Sequence, residues 1–217
     1  RQAEQYRLDE QRRAPQAELQ GALHSLFGHY EKYYQQWQDS AEMQAAGMTP
    51  PVFIVVCNNT NVSKLVFDYV AGWAKPLFDG RTVVVPGAFH IFNNERGGAW
   101  SARPNTILVD STQLESGEAM SADFKKIARA EVDEFKRDYR QRFPDRDVEK
   151  LTDEDLLREV MNTVGKKGKL GENVKCVVSV SMLTEGWDAN TVTHILGVRA
   201  FGTQLLCEQV VGRGLRR

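Results

Sequence analysis

Apolar residues recur at steps of three and four near the start of the chain: Leu19, Leu23, Leu26, Phe27, Tyr30, Tyr34 and Trp37. That period puts them on one face of a helix, predicted from Arg1 to about Ala46. Pro15 should break or kink it near its start, and Gly47 with Pro50 and Pro51 should end it. The period then changes. Val52–Cys57 is a continuous β-branched run, too short for a helix, and reads as a strand buried on both faces. Asn58, Asn59 and Thr60 turn the chain into a helix predicted over Val62–Trp73. Strand, polar turn and helix open a βαβ unit.

Residues 74–105 are rich in Gly, Pro and Asn and read as loop, with room for a short strand at Thr82–Val85. Thr106–Asp110 reads as a second buried strand. Helices follow at Ser121–Arg142, with Ser121 as a cap, and at Asp153–Val164, with Thr152 as N-cap and acids in its first turn. Gly165–Gly171 is a basic, glycine-rich loop. Strands at Val174–Ser181 and Val192–Val198 flank a loop at Leu183–Asn190, and a last helix runs from Gln204 to about Leu215. Alternating strands and helices define an α/β fold with a mainly parallel sheet. We divide the chain into a helical arm or linker, residues 1–48, and an α/β domain, residues 49–217.

Composition narrows the class only slightly. Of 217 residues, 41% are hydrophobic and 26% charged, as in ordinary globular proteins. No apolar run approaches the roughly 20 residues of a membrane span, and no signal peptide is visible, so a cytoplasmic protein is expected. The start at Arg1 rather than Met suggests a piece of a longer chain. The three cysteines and four histidines show no metal-ligand spacing, so no metal site is expected. Buried thiols are the plain reading of Cys57 and Cys176. Net charge is −1, but Met161–Arg217 holds eight Lys/Arg against four Asp/Glu. A basic excess of this kind is weak support for a nucleic-acid partner.

Candidate chemistry concentrates at the C-terminal end. A phosphate loop requires G-x-x-x-x-G-K-[ST]. Gly168-Lys169 is the nearest match, but Leu170 follows it and Thr163 stands where the leading Gly belongs. Asp133-Glu134 and Asp153-Glu154 fall in or at the start of helices, not at a strand end where they could hold magnesium. The chain alone should not hydrolyse ATP. Thr184-Glu185-Gly186-Trp187-Asp188 follows a buried strand, where open α/β sheets bind ligands. Gly186 permits close backbone approach, Asp188 suits a ribose hydroxyl and Thr184 suits a phosphate. In the last helix Gln209, Arg213 and Arg216 share a face. Glutamine can orient a water, and arginine offers a planar charged fork matched to phosphate.

These segments resemble known motifs. Thr184–Asp188 is similar to motif V of superfamily 2 helicases. Gln209-x-x-Gly212-Arg213-x-x-Arg216 is similar to their motif VI, and Val52–Thr60 resembles motif IV in place and form. The stretch from Val178 to Arg217 looks most like the Res subunits of type III restriction enzymes. The resemblance implies a RecA-like second motor domain, of the P-loop NTPase type, with a long N-terminal helical segment and a truncated end. It implies that ATP and Mg2+ are held mainly by an absent first RecA-like domain. Gln209, Arg213 and Arg216 would then reach the ATP phosphates. Glu185, Gly186, Asp188 and Gly212 would lie at the nucleotide. Thr184, Asn58, Thr60, Lys166 and Lys167 would contact nucleic acid. Implied partners are double-stranded DNA, the first motor domain and, as a further candidate, a methyltransferase (Mod) subunit.

Plainer readings compete. The arginine helix could be an ordinary charged surface, Trp187 a packing residue rather than a stacking one, and the Lys166/Lys167/Lys169 loop simply solvated. The aromatic face of the first helix reads as core or interdomain packing. Asp123-Phe124-Lys125 and Glu134-Phe135-Lys136 imitate part of a nuclease signature but sit on a helix, so a nuclease site is rejected here. Other readings of the whole are a different superfamily 2 repair or RNA helicase, a catalytically silent nucleic-acid-binding module, or an N-terminal protein-docking arm.

Overall fold

The computed structural model describes residues 15–109, 129–144, 147–180 and 191–198. Its elements run in the order α1 (Ala17–Asp39), α2 (Ala41–Ala45), β1 (Val52–Cys57), α3 (Thr60–Ala71), β2 (Gly72–Pro76), β3 (Thr82–Pro86), β4 (Glu95–Arg96), β5 (Ala99–Trp100), β6 (Thr106–Val109), α4 (Arg129–Arg142), a 3-10 turn (Val148–Lys150), α5 (Asp153–Asn162), β7 (Cys176–Val180) and β8 (Val192–Val198). Four strands form a parallel sheet in the order β6-β7-β1-β8. The fold is therefore α/β, with helices on both sheet faces.

Every residue of β1 is buried, as a central strand covered on both faces requires. Alternation along the strands sorts side chains into two cores. Val52, Ile54, Val56, Ile107, Val109 and Val177 face α5, where Leu156, Leu157, Val160 and Met161 cover them. Phe53, Val55, Cys57, Leu108, Cys176 and Val178 face the other way, against Leu23, Phe27 and Tyr30 of α1 and Val66 and Val70 of α3. The apolar face of α1 is thus core, one of the two readings its period allowed. Phe27 stacks on Phe89 at 4.3 Å, and Tyr30 donates from its hydroxyl to Pro51 O at 2.9 Å. Each such buried side chain contributes about 1.5–3 kcal/mol.

The first helix is interrupted where Pro15 predicts and once more before its expected end. Among the described residues it begins at Ala17, just after Pro15, and breaks at Ser40, whose side chain accepts from Met43 N at 3.2 Å and starts α2. Helix α3 is shifted two residues from its expected bounds. The side chain of Asn59 caps it, and Gly72, at φ 107°, ends it before Trp73. The stretch read as loop holds two hairpins, β2–β3 and β4–β5. Close backbone crossing allows the first: a Cβ on Gly87 would lie 2.2 Å from Val70 O. Asn94 ties this region to the sheet. Its amide donates to Thr106 O at 2.7 Å, and its carbonyl accepts from Asn105 N at 2.7 Å and Thr106 N at 2.9 Å.

Helix α5 starts as expected, with Thr152 and Asp155 forming a reciprocal capping box. The Gly165–Gly171 loop then folds back beneath it. Gly165 N donates to Gly171 O at 2.9 Å, and Gly171 N donates to the Thr163 hydroxyl at 3.1 Å.

Candidate functional site

Parallel strands all end on one side of their sheet, so Cys57, Val109, Val180 and Val198 mark a single carboxyl edge. Cys57 and Val180 pair in register at its centre. The chain leaving β1 rejoins the sheet at β6, two places to one side, while the chain leaving β7 rejoins it at β8, two places to the other. Adjacent strands whose continuations diverge leave a crevice between them, the usual ligand position in open α/β sheets.

Two predicted nucleic-acid contacts stand beside this crevice. Asn58 is exposed and Thr60 half-buried at the start of α3. Capping falls to Asn59, whose Oδ1 accepts from Val62 N at 2.9 Å. The cap was legible as an Asx residue immediately before a helix, yet the sequence reading passed over it. Thr184, Glu185, Gly186 and Asp188 belong to the segment that follows β7, and Gln209, Gly212, Arg213 and Arg216 to the segment that follows β8. Both segments, and Trp187, Cys207, Asp123 and Lys125 with them, lie outside the described residues.

Lys166 and Lys167 stand apart from Asn58 and Thr60. Their loop precedes β7, so it opens on the amino edge of the sheet. There a Cβ on Gly165 would lie 3.4 Å from Pro50, just before β1. One strand length, about 16 Å at roughly 3.3 Å per residue, separates the two edges. Lys166 Nζ donates to Asn162 O at 3.0 Å. Lys169 Nζ binds Glu134 at 2.5 Å and lies 3.5 Å from Asp138, which raises its pKa. Part of this basic loop is thus held by α4. Glu134 is correspondingly ion-paired, not poised for nuclease chemistry.

Ser179, one residue before the end of β7, is a feature the sequence did not single out. It is fully buried and its Oγ has no hydrogen-bond partner. The register sets it beside Val56 and Val109. Cys57, at the end of β1, is buried too, and burial pushes its thiol up to about 12. It is therefore no nucleophile near neutrality.

Among the described residues, no group of three or more His, Cys, Asp or Glu could hold a metal ion. Asn58 and Thr60 offer amide and hydroxyl groups suited to phosphate oxygens, not a magnesium ligand set. A groove of about 210 Å³ between α4 and α5 is lined by Phe135, Tyr139, Asp155, Arg158 and Glu159, among others, and includes none of the predicted site residues. No described helix is long and apolar enough to cross a membrane. No family model, curated protein or solved structure matches this chain.

Proposed function

We propose that the chain is the RecA-like second motor domain of an ATP-dependent DNA translocase or helicase of the type III restriction Res kind, working in the cytoplasm. The supporting observation is where the sequence motifs attach. Thr184–Asp188 follows the carboxyl end of β7, Asn58 and Thr60 follow that of β1, and these neighbouring strands send their connections in opposite directions along the sheet, the topology at which open α/β sheets bind ligands. Gln209, Arg213 and Arg216 follow β8 on the same edge.

In this reading ATP and Mg2+ are held mainly by a first motor domain, which supplies the phosphate loop this chain lacks. Glu185, Gly186, Asp188 and Gly212 approach the nucleotide from this side. Arg213 and Arg216 meet the charge that develops on the γ-phosphate, and Gln209 orients the attacking water. Arginine fingers in other NTPases accelerate hydrolysis about 10³–10⁵-fold. Thr184, Asn58 and Thr60 hold the DNA backbone without reading its sequence. Lys166 and Lys167, at the opposite edge, would meet the DNA backbone separately from these residues. A methyltransferase subunit would join the same assembly.

The test is Arg213→Ala in a protein that joins this domain to its first motor domain. DNA-stimulated ATP hydrolysis should fall by about three orders of magnitude. An unchanged rate would refute the finger assignment. Stimulation by RNA and not DNA would move the domain to an RNA helicase. Absence of any ATPase would favour a silent binding module.

A further inference from the structure

Three of the four histidines lie along the seam where α1 meets the rest of the protein. His24 on α1 shares a 2.8 Å hydrogen bond with the Tyr69 hydroxyl of α3 and meets Phe89 edge-on at 4.9 Å. His90, in the loop after β3, lies 3.5 Å from Glu31 of α1 and edge-on to Phe27. His194 on β8 lies parallel to Phe53, at 6.2 Å and 5° between planes, and meets Tyr30 edge-on at 5.4 Å and Tyr33 at 6.3 Å. The fourth, His29, is an exposed residue of α1 whose charge acts on His194. We propose that this seam is an acid-sensitive latch, in which protonation of His194, packed against Tyr30 and Tyr33, loosens α1 from the sheet.

The proton has a defined place to go. Thr193 donates its hydroxyl proton to Val52 O at 3.2 Å, so at 2.8 Å it accepts from Nδ1–H of His194. Neutral His194 therefore presents Nε2 as its free basic nitrogen. Its ring meets Phe53 of β1 and Tyr30 and Tyr33 of α1, Thr193 lies beside it on its own strand, and His29 of α1 is near enough for its charge to act on it. Burial, and then the charge of His29, lower its pKa. The folded state thus resists a proton that the released state accepts. Docking is fully favoured above the ordinary histidine range and weakens as pH falls through the lowered value. Each unit of depression corresponds to about a ten-fold change in the docking equilibrium. The other His–carboxylate contact of the seam, His90 with Glu31, joins two exposed side chains and is screened by solvent.

Hydrogen exchange on the full chain at pH 7.5 and 5.5, expressed as protection factors, reads the latch directly. Protection in α1 should fall several-fold at the lower pH while β1 and β7 keep theirs. The fall should disappear in His29→Gln/His194→Gln. It should shrink in His29→Gln alone, a change at an exposed position that serves if the double variant does not fold. Equal loss across α1 and β1, unchanged protection in α1, or an undiminished fall in either variant would overturn the proposal.

Discussion

Replacing Tyr30 tests whether the N-terminal helix is part of the folding unit. Its side chain is fully buried, at 0% exposure, between α1 and the sheet. Its ring lies 4.8 Å from that of Phe92 and 5.8 Å from that of Phe53, and its hydroxyl serves Pro51 O immediately before β1. Tyr30→Ala removes the ring, at about 3–5 kcal/mol for a large core aromatic. It also strands a buried carbonyl, for about 1–3 kcal/mol more unless water enters. Against a typical total of about 5–15 kcal/mol, this is a severe loss. Tyr30→Phe keeps the ring and should cost only the second part. Urea denaturation followed by circular dichroism gives both values from the midpoint and slope. A separate arm, joined to residues 49–217 only by a linker, would let the sheet unfold at its original midpoint. A shift below about 0.5 kcal/mol for Tyr30→Ala, the level of an ordinary surface substitution, would refute the packing argument.

Three other outcomes follow from the same geometry. Asn94→Ala leaves one carbonyl and two backbone N–H groups short of a partner and should destabilise by about 2–4 kcal/mol in the same urea assay; a neutral result would mean that water satisfies the site. Ser179→Ala removes a buried, unpartnered hydroxyl and should be neutral or stabilising by up to about 1 kcal/mol. A loss above that would reveal a hidden partner. Cys57, with its thiol near 12, is about 10⁻⁴ ionised at pH 8 and should react with an aromatic disulfide reagent only as the protein unfolds, so rapid labelling of the native Cys57 would contradict its burial.

What the sequence disclosed depended on periodicity. Val52–Cys57 and Val192–Val198 were legible to the residue because the first is a continuous apolar run and the second is rich in β-branched residues, each with polar or turn residues beside it. Thr152 was legible as a cap because a helix N-terminus needs an acceptor from its own side chain. Of the hairpins at 72–100 only the short strand at Thr82–Val85, now β3, was legible. Their strands are short, carry Lys75, Pro76 and Pro86, and alternate weakly. They are held by contacts distant in sequence, including Gly72 against Val85 O and Asn94 against Thr106. The break at Ser40 was hidden because the apolar period approaches it unbroken on α1. For the candidate site, local motifs named residues but could not place them. Only the pairing of β7 with β1 shows that a loop before a strand and a loop after one face opposite edges, which sets Lys166 and Lys167 apart from Asn58 and Thr60.

The same topology explains why the proposed motor residues are so scattered in sequence. Residues 58, 184 and 213 are far apart along the chain, but each follows a strand of one parallel sheet, and β1 lies between β7 and β8. Adjacent strands lie about 4.8 Å apart, so three such loops start within about 10 Å of one another. That spacing is on the scale of a nucleotide's phosphates and ribose. The points where these segments leave the sheet have rigid supports: the underlying residues Val56, Val178 and Leu196 are packed into the two cores. An arginine finger must hold its position while the domains open and close around it, and positioning errors of 1 Å can cost about 10²-fold in rate. Core substitutions beneath the edge, far from any ligand, should therefore impair the proposed ATPase more than they impair nucleic-acid binding, because backbone contacts to phosphate tolerate small displacements better than transition-state contacts do.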